Sequence, residues 1–273
     1  MSSGPFSSRY RTAFVTGAST GLGAAFVQML LQAGVEVWGT SRDWKKFPAP
    51  AGRFHAVTLE LGDGAAAERA FLDAAQAAGG FDVVINNAGF GAFGAFAHTD
   101  FALWEEQFRI MLVNTARLSQ VAMRGMLARN RGALVNISSI AGEFGMPYQA
   151  VYNSVKAGLS ALNESLMYEV KGTGVIVIDF RPGDYRTDFE GSVRQPPGAR
   201  GPGQDRAWAA FTAMMRSGPA PADAAADLHA ALARGRSGTV RSGRFFQAVI
   251  APFLARFGSL ALKRRIQERY FGL

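Results

Sequence analysis

The chain has no cysteine, only three histidines and no long apolar run. Without cysteine there are no disulfides and no thiolate metal sites. The histidines, His55, His98 and His229, are far apart and lack metal-ligand spacing, so we interpret them as structural or surface residues and expect no metal. No segment approaches the ~20 apolar residues of a membrane span. Residues 1–10 lack the charged-then-apolar order of a secretory signal, so we expect a short flexible tail on a cytoplasmic protein.

Charged residues are also few, at 18% of the chain against 48% hydrophobic residues, which is ordinary for a globular protein. Lys and Arg outnumber Asp and Glu by 29 to 21, for a net charge of +8. The basic residues are dispersed except near the C-terminus, and no zinc-finger spacing or long basic run occurs, so nucleic-acid binding is not expected. A positive field also suits an anionic cofactor. The length of 273 residues fits one large domain over 1–273.

Short apolar segments alternate with helical segments along most of the chain. This alternation predicts an α/β fold with a doubly wound parallel sheet and helices on both faces. The predicted strands are 12–16, 35–40, 54–61, 81–86, 133–137, 175–180 and 244–249, and the predicted helices are 24–33, 65–78, 101–129, 151–170, 207–216 and 221–234. Between 187 and 206 the pattern fails, and the Pro- and Gly-rich composition predicts a mobile loop that covers the substrate.

A glycine-rich turn follows the first predicted strand, with the sequence Gly17-Ala18-Ser19-Thr20-Gly21-Leu22-Gly23. Glycines let the backbone turn sharply and approach a ligand closely. The N-terminus of the following helix presents N–H groups and partial positive charge to phosphate. In this strand–turn–helix context, dinucleotide binding is favoured over a plain tight turn.

The end of the second predicted strand bears on cofactor choice. A site for the unphosphorylated dinucleotide usually has an acidic residue there, bound to the ribose 2′-hydroxyl. This chain instead has Ser41 and Arg42, and an Arg can bind a 2′-phosphate with two parallel hydrogen bonds. Asp43 could instead neutralise Arg42, or Arg42 could be a plain exposed loop residue. We predict a preference for NADP(H) over NAD(H).

Tyr152 and Lys156 are four residues apart, so both project from one face of a predicted helix. A free Tyr has a pKa of about 10, and a nearby ammonium lowers it. Such a pair suits proton transfer at a hydroxyl or carbonyl oxygen, although the spacing also arises by chance in many helices. Asn87-Ala88-Gly89 directly follows the fourth strand, where ligands bind in parallel sheets.

The C-terminal segment, 251–273, differs from the rest of the chain. Residues 251–262 are largely apolar, and Lys263-Arg264-Arg265 follow. Such a segment could touch a membrane surface, cover the substrate pocket or form a subunit interface. Packing is favoured over membrane contact because Pro252 and Arg256 break a clean apolar face.

Together the motifs resemble the short-chain dehydrogenase/reductase family over roughly residues 10–190, extending to about 250. The matching motifs are Thr16 to Gly23, Asn86 to Gly89, Ser139 with Tyr152 to Lys156, and Pro182-Gly183 with Thr187. The resemblance implies a Rossmann-type sheet of about seven strands, a nicotinamide cofactor, and hydride transfer between a carbonyl and a secondary alcohol. It also implies a homodimer or homotetramer.

The resemblance assigns roles by position. It makes Tyr152 the acid/base, and Lys156 the residue that binds the nicotinamide ribose and lowers the Tyr152 pKa. Ser139 would bond the substrate oxygen, and Asn114 would hold a proton-relay water. The implied cofactor residues are Gly17, Ser19, Thr20, Gly21, Leu22, Gly23, Ser41, Arg42, Glu60, Leu61, Asn87, Ala88, Gly89, Tyr152, Lys156, Pro182, Gly183 and Thr187.

Two positions depart from the family pattern. Glu60-Leu61 replaces the usual Asp-Val beside the adenine, although the Leu61 backbone can still make that contact. Asp184-Tyr185 replaces a small apolar pair and is expected to reshape the nicotinamide pocket.

Aromatic residues indicate the substrate class. Phe93, Phe144, Tyr148 and Phe189 are the candidates for an apolar substrate pocket, with core packing as the alternative. They favour a hydrophobic ketone or alcohol of small to medium size. An epimerase, a non-redox family member and a cofactor-sensing regulator are the other functions considered. A sensor needs only the nucleotide site, so the set of Asn114, Ser139, Tyr152 and Lys156 argues against it.

Overall fold

The computed structural model describes residues 6–46, 48–187, 189–198 and 200–273. Seven strands form one sheet in the order β3-β2-β1-β4-β5-β6-β7, and every neighbouring pair is parallel. The strands are β1 (Thr12–Val15), β2 (Glu36–Ser41), β3 (Phe54–Thr58), β4 (Val83–Asn86), β5 (Gly132–Ile137), β6 (Val175–Pro182) and β7 (Gly238–Ser242). The strand order reverses between β1 and β4, so the predicted Rossmann-type doubly wound sheet is confirmed.

Helices cover both faces of the sheet. They are α1 (Phe6–Arg9), α2 (Gly21–Gln32), α3 (Gly64–Ala78), α4 (Phe101–Phe108), α5 (Asn114–Ala128), α6 (Ala150–Glu169), α7 (Phe189–Ser192), α8 (Pro202–Ser217), α9 (Pro221–Arg234), α10 (Ala251–Phe257) and α11 (Leu260–Phe271). Two π-helical segments, Arg109–Val113 and Phe246–Ile250, precede α5 and α10. Helix ends carry the expected caps: Asp63 accepts a hydrogen bond from Ala66 N at the start of α3, and Gly79 ends α3 with φ +67°.

The sheet separates two apolar layers because successive strand side chains point to opposite faces. Phe14 of β1 packs in the layer formed with α3, α5 and α6. Its neighbour Val15 packs in the other layer, with α2 and α9. All residues of β4 and β5 are buried, as expected for central strands covered on both faces. The carboxyl ends of β1, β4, β5 and β6 therefore meet at one edge, and each leads into one of the family motifs.

The structure corrects the position of the last strand. The segment 244–249 was predicted to be this strand, but β7 is Gly238–Ser242, which pairs in parallel with β6. After Gly243, which has a left-handed φ of +141°, the chain turns into the π-helical segment. The side chains of this segment are largely apolar, so its composition resembles that of a strand, although the segment is helical.

Two predicted irregular regions contain ordered elements. In 187–206, the described residues include α7 and the start of α8, so the predicted loop is shorter than expected; Asp188 and Ala199 lie outside the described residues. In the predicted tail 1–10, Phe6–Arg9 is helical and the buried Tyr10 donates to Leu232 O at 3.1 Å. Residues 1–5 also lie outside the described part. No helix within the described ranges is long and apolar enough to cross a membrane.

Candidate active site

A cavity of about 1100 Å³ opens at the carboxyl edge of the sheet. It brings together most of the residues predicted from the sequence motifs. Those that line it are Gly17, Ser19, Thr20, Gly21, Leu22, Ser41, Arg42, Glu60, Leu61, Asn87, Ala88, Gly89, Ser139, Phe144, Tyr152, Lys156, Pro182, Gly183, Thr187 and Phe189. Gly23, Phe93, Asn114 and Tyr148 are not among the lining residues.

The turn after β1 requires glycine because of its backbone conformation and its close packing. Gly17 and Gly21 have left-handed φ values of +64° and +56°. A Cβ at Gly23 would lie 2.0 Å from Gly17 O, so Gly23 acts by allowing close packing within the turn rather than by facing the cavity. Thr20, the N-cap of α2, makes no side-chain cap hydrogen bond. The first N–H groups of α2 therefore remain available to a phosphate.

The turn after β4 is bonded directly to the glycine turn. Asn87 Nδ2 donates to Thr16 O at 3.1 Å and to Gly17 O at 3.2 Å. The backbone N–H groups of Asn87 and Ala88 also donate to Thr16 Oγ1. These bonds hold the two turns as one unit, so Asn87 shapes the cavity through its contacts with the β1 turn.

The end of β2 bears on one alternative for Arg42, its neutralisation by Asp43. Asp43 Oδ1 accepts hydrogen bonds from Lys45 N and Lys46 N, so this carboxylate caps the local turn. Within the described residues, no carboxylate forms an ion pair with Arg42, which is exposed and lines the cavity. Ser41 is buried beside it, and Lys46, which the motif analysis missed, lines the same end.

Helix α6 supplies the predicted acid/base pair. Lys156 Nζ lies 5.6 Å from the centroid of the Tyr152 ring and donates to Ile137 O, at the end of β5, at 2.8 Å. Ser139 follows the same strand; its hydroxyl accepts from Ala141 N at 3.0 Å and donates to Pro182 O at 3.3 Å. Ser139, Tyr152 and Lys156 thus lie on one wall of the cavity, which is formed by the ends of β5 and β6 and by one face of α6.

The electrostatics of this wall differ from the expectation that Lys156 lowers the Tyr152 pKa. Burial raises the pKa of Tyr152 to about 12; a hydrogen bond with Ser139 opposes this, and the negative charge of Asp184 adds to it. Burial lowers the pKa of Lys156 to about 8, and the charge of Asp179 opposes that shift. Desolvation is therefore the largest cause of both shifts, and it favours the protonated phenol.

The proposed proton-relay role of Asn114 does not fit its position. Asn114 Nδ2 donates to Leu61 O at 2.5 Å, and a Cβ at Gly64 would lie 2.3 Å from Asn114 Oδ1. The side chain thus supports the loop between β3 and α3. Met111, in the π-helical segment, is the residue from this region that lines the cavity, with its Sδ 3.4 Å from Phe90 N.

The aromatic candidates divide into two groups. Phe144 and Phe189 line the cavity, and the Phe189 ring centroid lies 6.2 Å from that of Tyr152. Phe93 is buried and packs against Phe271, while Tyr148 packs against Phe93 with ring centroids 5.6 Å apart. Phe93 and Tyr148 therefore form a core behind the cavity rather than its surface, which corrects the prediction for both.

One corner of the cavity is polar and is formed by Asp184, Gln247 and Tyr270. The Asp184 carboxylate accepts a hydrogen bond from Gln247 Nε2, and Gln247 also lies 3.1 Å from Tyr270 OH. Burial raises the pKa of Asp184, and the Gln247 hydrogen bond opposes this. Asp184 was recognised as a departure from the family pattern, but Gln247 and Tyr270 come from the C-terminal segment, where no motif marks them.

Behind the catalytic wall, a chain of buried amides crosses the sheet. Asn86 Nδ2 donates to Asn136 Oδ1 at 2.8 Å, and Asn136 Nδ2 donates to Asn163 Oδ1 at 2.6 Å. Asn163, on α6, donates to Asp179 Oδ1 at 3.0 Å, and Ser138 Oγ donates to the same oxygen. The row connects β4, β5 and β6 to the helix that carries Tyr152.

The fold and the site define a dinucleotide-binding oxidoreductase with a Rossmann-type sheet. The family model described as short chain dehydrogenase matches residues 11–198. The chain belongs to the short-chain dehydrogenase/reductase family, whose members use NAD or NADP.

Three known proteins show the range of the similarity. The chain is 33% identical over 178 residues to a 3-ketodihydrosphingosine reductase of Bacteroides thetaiotaomicron, covering 64% of each chain. It is 32% identical over 187 residues to the 3-oxoacyl-(acyl-carrier-protein) reductase of Aquifex aeolicus, covering 66% of this chain and 75% of that one. The crystal structure of a short-chain dehydrogenase from Streptomyces avermitilis matches with a TM-score of 0.81 at 26% identity, covering 95% of this chain and 97% of that one.

Proposed function

We propose that this protein is an NADP(H)-dependent oxidoreductase that interconverts a carbonyl and a secondary alcohol on a small to medium, hydrophobic substrate. One observation carries the proposal: Ser139, Tyr152 and Lys156 share a cavity with the glycine turn and with Arg42. A cofactor at the turn and a substrate oxygen at Tyr152 would therefore occupy one continuous space.

The residues present fit a nicotinamide dinucleotide. The left-handed turn at Gly17 and Gly21 and the uncapped start of α2 would hold the pyrophosphate. Thr187 lies beside Gly21, where a Cβ on the glycine would be 3.6 Å from the Thr187 Cβ, so the loop after β6 closes over the turn. Lys156 would bind the nicotinamide ribose. A bound reduced nicotinamide supplies a hydride to the carbonyl carbon.

The protein groups supply orientation and the proton. Ser139 and the Tyr152 hydroxyl would donate hydrogen bonds to the carbonyl oxygen, and Tyr152 would give its proton to that oxygen. With its pKa at about 12, the Tyr152 phenol is protonated at neutral pH. Oxidation of an alcohol would instead require the phenolate, which burial and Asp184 disfavour.

The cavity walls support a hydrophobic carbonyl substrate. Phe144, Phe189 and Met214 line the cavity, and Asp184 provides one polar corner. The relatives from Bacteroides and Aquifex are named as reductases of a keto and an oxo compound, respectively. We also propose that the protein forms a homodimer or homotetramer, to be tested by mass measurement in solution.

The test is NADPH consumption with ketones and aldehydes of graded chain length, using Tyr152→Phe as the blank. Turnover by the native protein alone, rising with the apolar length of the substrate, supports the proposal. Tight NADPH binding without consumption across the series would count against it and favour an epimerase or a cofactor sensor.

Arg42→Ala is expected to weaken NADPH binding by about tenfold or more and to leave NADH binding unchanged, because a charge-assisted hydrogen bond to the 2′-phosphate is lost. The measurement is a fluorescence titration with each cofactor. Lys45→Ala is the matched control, since Lys45 is exposed and is not among the cavity-lining residues. Equal NADPH affinity in the Arg42→Ala and native proteins would refute the cofactor preference.

NADPH affinity is expected to fall as the pH rises through about 8. The pKa of Lys156 is lowered to about 8 by burial, so its ammonium is present below this pH and lost above it. Lys156→Met should bind more weakly and show no such fall, when both proteins are titrated between neutral and alkaline pH. A native profile that stays flat well above pH 8, or an identical fall in Lys156→Met, would contradict the role of Lys156.

A further inference from the structure

Most of the exposed apolar surface is concentrated at the C-terminal end. Of the 17 large hydrophobic side chains that are exposed among the described residues, 11 lie between Phe245 and Leu273. We call nine of them the C-terminal patch: Phe245, Phe246, Val249, Ile250, Phe253, Phe257, Leu260, Leu262 and Ile266. Single exposed apolar residues are ordinary, whereas a concentration of them in one part of the chain is a candidate interaction surface.

Part of the C-terminal patch follows helical spacing. Val249, Phe253 and Phe257 follow one another at intervals of four residues, which places Phe253 and Phe257 on one side of α10, with Val249 one turn before them. The rings of Phe253 and Phe257 contact each other with centroids 5.1 Å apart, and these side chains are 63% and 72% exposed. The aromatic surface is therefore preformed and faces outward.

The opposite side of this segment is packed as the sequence predicted. Phe271 of α11 is buried in the cluster that contains Phe93, and Tyr270 OH accepts a hydrogen bond from Gln247, which also donates to Asp184. Lys263 Nζ donates to Glu143 O and lies 4.8 Å from the Phe144 ring centroid. These contacts bury one side of the C-terminal region against the rest of the protein, and they leave the C-terminal patch uncovered.

The charge around the C-terminal patch indicates what kind of partner would bind there. Residues 244–273 contain six Lys or Arg and one acid, Glu268, against 29 and 21 in the whole chain, so this segment supplies five of the eight net positive charges. Arg264, Arg265 and Arg269 are exposed, and within the described residues no carboxylate pairs with them. A second copy of the chain would bring the same basic surface and be repelled, whereas anionic lipid headgroups would be attracted.

We infer that the C-terminal patch and its flanking arginines dock this protein onto the surface of an anionic lipid membrane. Phe253 and Phe257 would enter the boundary between headgroups and acyl chains, with Arg264, Arg265 and Arg269 on the phosphates. No membrane-crossing helix is needed for this arrangement. Phe246 and Ile266 reach both the surface and the cavity, so docking would place the cavity next to the lipid.

The test is flotation of the full chain with phosphatidylcholine vesicles, with and without phosphatidylglycerol, at low and high salt. We expect binding to the anionic vesicles that weakens as salt is added. Phe253→Ser with Phe257→Ser should weaken binding at least tenfold, and Arg264→Glu with Arg265→Glu should do the same, since basic residues near the surface are attracted to anionic headgroups. NADPH titration of each variant checks that it is folded.

Matched controls lie on other surfaces of the protein. Phe101→Ser removes a phenyl ring that is also 63% exposed, and Arg124→Glu reverses an exposed charge on α5; both should bind vesicles as the native chain does. Absence of native binding, or binding that the C-terminal variants leave unchanged, overturns the inference. An oligomer that Phe253→Ser with Phe257→Ser dissociates also overturns it and assigns the patch to a second copy. Vesicle binding needs no turnover, so the outcome is independent of the reductase assay.

Discussion

Tyr152→Phe is expected to lower turnover of a carbonyl substrate by about 10³-fold, within the range that positioned acid/base groups contribute. The change removes the hydroxyl that lies with Ser139 on the cavity wall and keeps the ring that packs near Phe189. NADPH binding should therefore change little. The measurements are the single-turnover rate of NADPH oxidation and the Kd for NADPH from fluorescence titration.

The matched control for this change is Tyr168→Phe. Tyr168 lies on the same helix, α6, and is 73% exposed, so loss of its hydroxyl should alter neither the rate nor the Kd. A Tyr152→Phe protein with near-native turnover would remove Tyr152 as the acid/base. Loss of both turnover and NADPH binding would instead indicate that the wall had been disrupted.

Gly23→Ala is expected to abolish tight NADPH binding and to lower Tm. The new Cβ would lie 2.0 Å from Gly17 O and 2.6 Å from Asn87 Nδ2, distances that force the glycine turn apart. Both the phosphate-facing N–H groups and the bonds between the β1 and β4 turns depend on that turn. We expect NADPH affinity to fall by about 100-fold. This corresponds to about 2–3 kcal/mol, which is the cost that overpacking typically causes.

Gly238→Ala provides the control for Gly23→Ala. A Cβ at Gly238 would meet nothing within 4 Å, so this variant should bind NADPH and melt as the native protein does. Calorimetry and cofactor titration on both variants separate a local effect from a general sensitivity to alanine. Native affinity in Gly23→Ala would show that the turn can relax and that its packing does not determine cofactor binding.

Much of the fold was predictable because its signals are local. The buried strands at 12–16, 83–86 and 132–137 appear as short apolar runs, and the glycine turn follows the first of them directly. Residues at the carboxyl ends of parallel strands meet at one edge whatever the loop details. Ser139 and Tyr152 could therefore be placed together although they lie on different elements.

The last strand could not be located in this way. Gly238–Ser242 has few strand-forming residues, and it is a strand because the exposed edge of β6 provides its hydrogen bonds. The segment 244–249 has the stronger strand propensity, but Phe246–Ile250 is π-helical. Tertiary pairing overrides propensity at such positions.

The relay role of Asn114 came from the family resemblance; from its position alone, Asn114 could also cap a local kink or meet a neighbouring strand. The sequence suggests one helix over 101–129, but the π-helical segment Arg109–Val113 interrupts it. Met111, in that segment, lines the cavity, and Asn114 Nδ2 donates to Leu61 O. Local sequence does not reveal the interruption, so the partner of Asn114 could not be predicted.

The polar corner at Asp184 depends on contacts between distant parts of the chain. Asp184 and Gln247 are 63 residues apart, and Tyr270 is 23 residues further on. No periodicity links them, so only the folded chain shows that the C-terminal segment completes the cavity wall. The same holds for the burial that sets the pKa of Tyr152 and Lys156.

The row of buried amides limits the freedom of the helix that carries the catalytic pair. Apolar packing is non-directional and would tolerate small rotations of α6 about its axis. The hydrogen bonds of Asn163 to Asn136 and Asp179 weaken steeply when their angles change, so they fix one angular setting of α6. Asn163 lies two turns after Lys156 and three turns after Tyr152, on the same face. The amide hydrogen bonds thus hold Tyr152 and Lys156 in one position. A displacement of reacting groups by about 1 Å is enough to slow a reaction 100-fold.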